Sequence, residues 1–163
     1  MKQTDNFKFD EANVMNELVY RNLSEDAKRQ ICAWKYGGEY DLYNLPAYEE
    51  MQVRQIGFMN PQREKNYYGF WDESILVGFV NILEEKEEVF IGIGVNPDLC
   101  NKHYGQRMLL ITYEISKKLY PNKPLYLEVR TWNIRAVKCY QKAGFRIDGQ
   151  AYELTTGIGT GTF

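Results

Sequence analysis

The stretch Leu125–Phe145, LYLEVRTWNIRAVKCYQKAGF, holds two different periodicities side by side. Leu125 to Val129 is a short apolar run with β-branched and aromatic character, which predicts a strand. From Asn133 to Ala143 the apolar residues recur at helical spacing, and Gly144 supplies a stop for the helix. Phe145 then opens another strand, expected to run to about Leu154. A strand that gives way to a helix and returns to a strand belongs to an α/β sheet.

Working outward, Pro121-Asn122-Lys123-Pro124 ends the preceding element. That element is a helix from Gly105 to Leu119, because Met108, Ile111, Thr112, Ile115 and Leu119 share one helical face. Before it stands Val89-Phe90-Ile91-Gly92-Ile93-Gly94-Val95, a strand closed by Asn96-Pro97. The step from Val89 through the helix to Val129 implies a parallel strand pair. Farther upstream, Tyr67–Trp71, a turn at Asp72–Ser74, Ile75–Ile82 and a charged turn at Glu84–Glu88 predict an antiparallel meander. Ser24 with Glu25 and Asp26 reads as a capped helix start, continued by Ala27, Gln30, Ile31 and Trp34 and ended by Gly37-Gly38. An aromatic loop, Glu39 to Pro46, leads to a second short helix from Glu49 to Phe58. Gly157 to Phe163 is either a short strand or a tail. The predicted order is two helices, three strands, helix, strand, helix, strand: a mixed, mostly antiparallel α/β sheet.

Composition narrows the function. The chain has 163 residues, 44% hydrophobic and 26% charged, which fits one globular domain spanning 1–163. A net charge of −2 gives no reason to expect nucleic acid or an acidic membrane as partner. Three cysteines, Cys32, Cys100 and Cys139, in no C-x-x-C spacing argue against a disulfide framework and for a reducing cytoplasm. With His103 the only histidine, no metal site is expected. The first ten residues lack a long apolar run, so neither a leader nor a membrane span is expected there.

Two places carry chemistry. At the junction of Val95 with the helix beginning near Gly105, unpaired backbone N–H groups suit a pyrophosphate, and glycine lets a ligand come close. Along the last helix, Asn133, Ala136 and Tyr140 fall near one stripe, a small residue between two polar ones, where a ligand can lie against the helix. Ordinary capping and packing accounts for the same residues.

The segments Leu127-Glu128-Val129-Arg130, Trp132-Asn133, Ala136, Tyr140 and Gly144-Phe145 together resemble the GNAT N-acetyltransferase superfamily. The likeness runs from Phe79 to Gln150 and is nearest the branch of ribosomal-protein alanine N-acetyltransferases. It implies acetyl-CoA as cofactor and a primary amine, on a small molecule or a peptide N-terminus, as acceptor. It also implies a bulge in the strand carrying Gly92 and Gly94, splaying that strand from its parallel neighbour so that the pantetheine arm enters the gap. Cofactor contacts are then expected from Ile93, Gly94, Val95, Lys102, His103, Tyr104, Gly105, Gln106, Asn133, Ala136 and Tyr140. The family's phosphate loop reads Arg/Gln-x-x-Gly-x-Gly/Ala; here Cys100 and His103 replace the first two signature residues and Gly105 alone remains, leaving Lys102 or Arg107 to supply the cation.

Two catalytic roles follow from the resemblance. Tyr140 would protonate the departing thiolate, a phenol of pKa about 10 serving a thiol of about 8.5. Glu128 would take a proton from the attacking amine, with Glu88 and Glu39 as rival acids. Ile31–Tyr36 and Tyr40–Tyr43 resemble the acceptor side of some bacterial members, so Trp34, Tyr36, Tyr40 and Tyr43 are expected to wall the amine pocket. Neither His103 nor Cys139 is expected to act in catalysis. A CoA-binding regulatory domain without turnover is the alternative, and either a monomer or a homodimer is compatible with the sequence.

Overall fold

A computed structural model describes residues 1–3 and 18–163. Most of the stretch 1–10, read above as carrying no leader, lies outside the described residues. Among the described residues, nine strands and four α-helices follow one another: β1 (Lys2–Gln3), β2 (Val19–Asn22), α1 (Glu25–Ala33), α2 (Tyr48–Arg54), β3 (Tyr67–Asp72), β4 (Ile75–Glu84), β5 (Val89–Val95), α3 (Tyr104–Leu119), β6 (Leu125–Tyr126), α4 (Ile134–Lys142), β7 (Phe145–Arg146), β8 (Glu153–Thr156) and β9 (Gly159–Thr162). Seven strands form one sheet in the order β2-β3-β4-β5-β6-β1-β7, while β8 and β9 pair as a separate hairpin. Only β5 and β6 run parallel; every other pair in the sheet is antiparallel.

Strand alternation divides the core in two. Phe70, Val77, Val80, Ile82, Ile91, Leu125 and Leu127 turn to one face, where Met108, Leu109 and Ile115 of α3 cover them. Trp71 and Leu76 turn the other way and meet Ala27 and Ile31 of α1 and Met51 of α2. The two layers hold the rims of the β5–β6 pair in place and leave its far end open.

The helix termini follow local chemistry. Ser24 accepts a hydrogen bond from the Ala27 N–H at 3.1 Å, as a capping serine should. α1 then ends at Ala33, ahead of Gly37-Gly38, because Trp34 turns to an extended backbone and brings its ring to 6.2 Å from that of Phe79. A tertiary aromatic contact thus ends the helix before its glycines. α2 is likewise shorter than expected: Gln55 takes a left-handed φ of 51° and breaks it, and Gly57–Met59 forms a separate 3-10 turn.

Four further differences concern strands. β1 and β2 were not foreseen; one has two residues and the other exposes all four of its side chains, so neither carries an alternating pattern. β6 is limited to Leu125–Tyr126, and β7 to Phe145–Arg146 rather than continuing to Leu154. The carboxy-terminal glycines belong to the β8–β9 hairpin.

Candidate active site

β5 sets the geometry. Its register with β4 is unbroken from Glu84↔Val89 to Gly78↔Val95, and just beyond it the Asn96 N–H donates to the Val77 carbonyl at 2.8 Å. Hydrogen-bonded pairs alternate along an antiparallel ladder, so Phe90, Gly92 and Gly94 spend their backbone groups on β4. Val89, Ile91, Ile93 and Val95 point theirs the other way, toward β6; the Val89 N–H donates to Pro124 at 2.9 Å on that side. The parallel ladder stops after Val89↔Leu125 and Phe90↔Tyr126. Beyond it, Leu127 exchanges both of its backbone hydrogen bonds with Met1, at 2.6 and 2.9 Å. Those groups face away from β5 by strand alternation; Glu128 carries the next groups that could continue the ladder, no β5–β6 pair follows Phe90↔Tyr126, and a notch opens beside Ile93 and Val95.

This corrects the expected origin of the splay. β5 carries no bulge; the register shift in the sheet lies between β3 and β4, at Phe70/Trp71. Nor do the two glycines have the same reason to be there. A Cβ on Gly94 would overlap the Phe79 ring, coming within 2.9 Å of Cζ, whereas one on Gly92 would meet nothing closer than 3.5 Å. Gly94 is required by packing and Gly92 leaves open surface.

A cavity of about 540 Å³ fills the notch and extends over α3, α4 and the loop after α1. Of the residues singled out from sequence, the structure brings together on its wall Ile93, Gly94, Val95, His103, Tyr104, Gly105, Gln106, Glu128, Asn133, Ala136, Tyr140, Trp34, Tyr36, Tyr40 and Tyr43. Lys102 is not on that wall, nor is Arg107, whose guanidinium lies 5.3 Å from the Tyr104 ring centre. The rival acids Glu88 and Glu39 are also elsewhere; Glu88 pairs with Lys2 at 2.6 Å. Among the described residues, Glu128 is the one acidic side chain lining the cavity.

The start of α3 is shaped by His103, which takes a left-handed φ of 65° and turns the chain into the helix. Gly105 serves a second purpose beyond ligand approach: an added Cβ would stand 3.0 Å from Cys139 Sγ, so glycine lets α3 and α4 meet. Cations do reach the cavity, but from α4: Arg135, Lys138 and Lys142 line it. Their i, i+3 and i+7 spacing puts them on one helical face, a signal present in the sequence and overlooked.

On α4, Asn133 is the N-cap. Its Oδ1 accepts from the Ala136 N–H at 3.1 Å and its Nδ2 donates to Tyr43 Oη at 3.3 Å. Tyr140 faces the cavity close to Tyr36 and Tyr43, and its hydroxyl makes no hydrogen bond to another described residue. Burial pushes this phenol well above its ordinary pKa. On the far wall, the Tyr36 hydroxyl donates to the Val95 carbonyl at 2.6 Å. Asn44 clamps the Tyr36 backbone, accepting its N–H at 2.6 Å and donating to its carbonyl at 3.3 Å. The rings of Tyr40 and Tyr43 lie 5.6 and 6.1 Å from Trp132, and Arg135 stacks 4.0 Å over Tyr40.

Glu128 is held by a long hydrogen bond from the Tyr152 hydroxyl at 3.5 Å. Burial raises its carboxyl above the usual range, with Glu85 adding to the rise and Tyr152 opposing it. Its neighbour Arg130 is 7% exposed and donates to the Thr160 and Gly159 carbonyls at 3.1 and 3.2 Å, pinning the β8–β9 hairpin so that Phe163 closes one side of the cavity. Among the described residues no group of three His, Cys, Asp or Glu side chains could hold a metal, and no helix is long and apolar enough to cross a membrane.

The family model described as acetyltransferase (GNAT) family matches residues 29–145. The chain belongs to the GNAT acetyltransferase family. As a GNAT protein it is an acyltransferase that draws its acetyl group from acetyl-CoA. No curated protein matches it by sequence. Solved structures agree on the fold at low identity. The aminoglycoside acetyltransferase AAC(6')-Ib, in complex with ribostamycin and coenzyme A, is 16% identical with a TM-score of 0.68, covering 90% of each chain. A chimeric spermidine N-acetyltransferase from Vibrio cholerae is 18% identical with a TM-score of 0.71, over 90% of this chain and 92% of the other. A GNAT-family acetyltransferase from Streptococcus pneumoniae is 22% identical with a TM-score of 0.62, over 90% and 96%.

Proposed function

We propose that this GNAT protein acetylates the primary amine of a small cationic molecule. The observation that carries the reading is the notch: Ile93 and Val95 aim main-chain groups into it beyond the last rung of the β5–β6 ladder, and an unpartnered Tyr140 hydroxyl faces the same cavity. A ligand amide arm can complete that interrupted ladder as a strand would. The residues present fit acetyl-CoA in charge as well. The α3 amino end, Lys138 and Lys142 offer positive potential for a diphosphate, and Ala136 gives a flat contact on α4. His103 stands at the same end, while Lys102 lies off the cavity wall.

Acetyl-CoA when bound supplies an activated acyl carbon. The protein's own part is positioning and proton movement. The Ile93 and Val95 N–H groups face the gap and can polarise a carbonyl there. Tyr140 holds its proton firmly because burial disfavours the phenolate, and it can give that proton to a sulfur that gains negative charge in the same dry site. Glu128 starts as a carboxylate of raised pKa, a better match to an ammonium of about 8 to 10 than an exposed acid is.

Several features favour a small cation as acceptor. Trp34, Tyr36, Tyr40, Tyr43 and Phe163 wall the cavity with aromatic rings, and Glu128 is the one acidic side chain on it among the described residues. Phe163, next to the β8–β9 hairpin, lines the cavity, and two of the fold relatives named above are an aminoglycoside and a spermidine acetyltransferase. The likeness of Leu127–Arg130 to the alanine N-acetyltransferase branch favours a peptide N-terminus instead.

Thiol release from acetyl-CoA, measured with spermidine, ribostamycin and an alanine-starting tetrapeptide, separates these acceptors. Release with spermidine or ribostamycin is expected. Release with the peptide alone would reassign the acceptor, and CoA binding without release on any amine would favour a regulatory domain.

A further inference from the structure

Two of the phenols lining the cavity, Tyr36 and Tyr140, hold their O–H groups in opposite states. Tyr140 has a hydroxyl with no partner among the described residues, so it can donate. Tyr36 already donates its O–H to the Val95 carbonyl, at 2.6 Å. A phenol has one O–H; once that is committed, its oxygen can only accept. Burial raises the Tyr36 pKa strongly, so the group does not lose that proton near neutral pH. The oxygen is also well fixed. Asn44 grips both backbone polar groups of Tyr36, and the donated hydrogen bond holds the far end of the side chain.

Its position matters as much as its proton. Val95 is one of the residues whose main chain faces the notch, so the Tyr36 oxygen stands at the edge of the slot, on the side formed by the loop after α1. Tyr140 is close enough to Tyr36 for each charge to be felt by the other. The reacting amine must present its lone pair to a carbon lying in that slot, which leaves its N–H groups to be satisfied by whatever surrounds them. In a low-dielectric cavity an unpaired N–H is costly. Among the groups on the wall, Glu128 and a committed phenol oxygen are both able to accept.

We infer that Tyr36 is an amine-positioning residue: its hydroxyl oxygen accepts one N–H of the acceptor amine while its own O–H stays hydrogen-bonded to the Val95 carbonyl. The two tyrosines divide the work. One receives a hydrogen bond from the incoming nitrogen, and the other donates to the departing sulfur. Tyr36 also links the acceptor loop to β5, so an amine seated on it is referenced to the strand that lines the thioester slot.

The inference rests on the acetyl-transfer reading above, and its test separates the two. Tyr36→Phe removes one oxygen and keeps the ring. Calorimetric titration of spermidine, ribostamycin or the alanine-starting tetrapeptide, whichever the wild type acetylates fastest, into the protein–CoA complex should show affinity about tenfold weaker in the variant. The amine KM should rise by a similar factor, with kcat lowered less than about threefold and the CoA Kd within about twofold of wild type. An unchanged amine affinity would overturn the inference. So would a loss of CoA affinity as large as the loss of amine affinity, since Tyr36 would then serve only to shape the end of β5. Wild-type protein that binds CoA and acetylates none of the three amines would overturn the transfer reading and this inference with it.

Discussion

The two ends of β5 are built from similar residues and have opposite fates. At its start, Val89 and Phe90 pair with Leu125 and Tyr126, Val89 is fully buried, and the backbone groups facing β6 are used in the sheet. At its finish, Ile93 and Val95 face an open notch, because the parallel ladder ends at Phe90↔Tyr126 and Glu128 does not take it further. The first end contributes stability and the second offers recognition. Strand chemistry alone does not make a binding site; a neighbour that leaves after two residues does.

The largest way to break this contrast acts across the open end. Tyr140→Phe removes the free hydroxyl and should lower kcat by about 10²-fold or more, with the CoA Kd within about twofold, as stopped-flow thiol release and calorimetry would show. A fall in kcat of less than threefold would leave Tyr140 as a packing residue.

Next comes the carboxylate. Glu128→Gln should lower kcat/KM at neutral pH by roughly 10- to 100-fold. In the wild type the acid limb of the pH profile should lie above the ordinary carboxylate value of about 4.3, because burial raises this group, and the variant should lose that limb. The sign for stability runs the other way. A carboxyl whose pKa is raised on folding favours the folded state only when protonated, so its contribution disappears as pH rises through the folded pKa. Glu128→Gln should therefore melt no lower than wild type at pH 7.

Smaller effects distinguish the glycines. Gly94→Ala drives a methyl into the Phe79 ring, itself packed by Phe58 and Tyr67, and should cost about 1–3 kcal/mol, lowering Tm by roughly 3–10 °C. Gly92→Ala meets only ordinary contacts and should leave Tm within about 2 °C. Equal losses at both positions would mean that the open face of β5 is packed.

Much of this was legible in the sequence because it depends on local periodicity. Val89–Val95 and the body of α3 are long enough to show their period, and Asn133 sits where a cap belongs. What escaped depends on partners distant in sequence. β1 reads as nothing until Tyr126 and Arg146 lie on either side of it. The splay was ascribed to a bulge in β5, whereas β5 keeps its register with β4 throughout and the β5–β6 ladder ends after Phe90↔Tyr126. Lys102 was chosen for its place in the loop and lies off the cavity wall, while Arg135, Lys138 and Lys142 reach it from α4. Tyr36 was read as a wall; its bond to Val95 joins residues 59 apart.

Amide hydrogen exchange along β5, measured by NMR with and without CoA, tests the open notch most directly. The Ile93 and Val95 N–H groups should exchange readily in the free protein and slow by more than about tenfold in the complex, while Val89 stays protected in both. Binding of CoA that leaves Ile93 and Val95 unchanged, or protection of both in the free protein equal to that of Val89, would contradict the account.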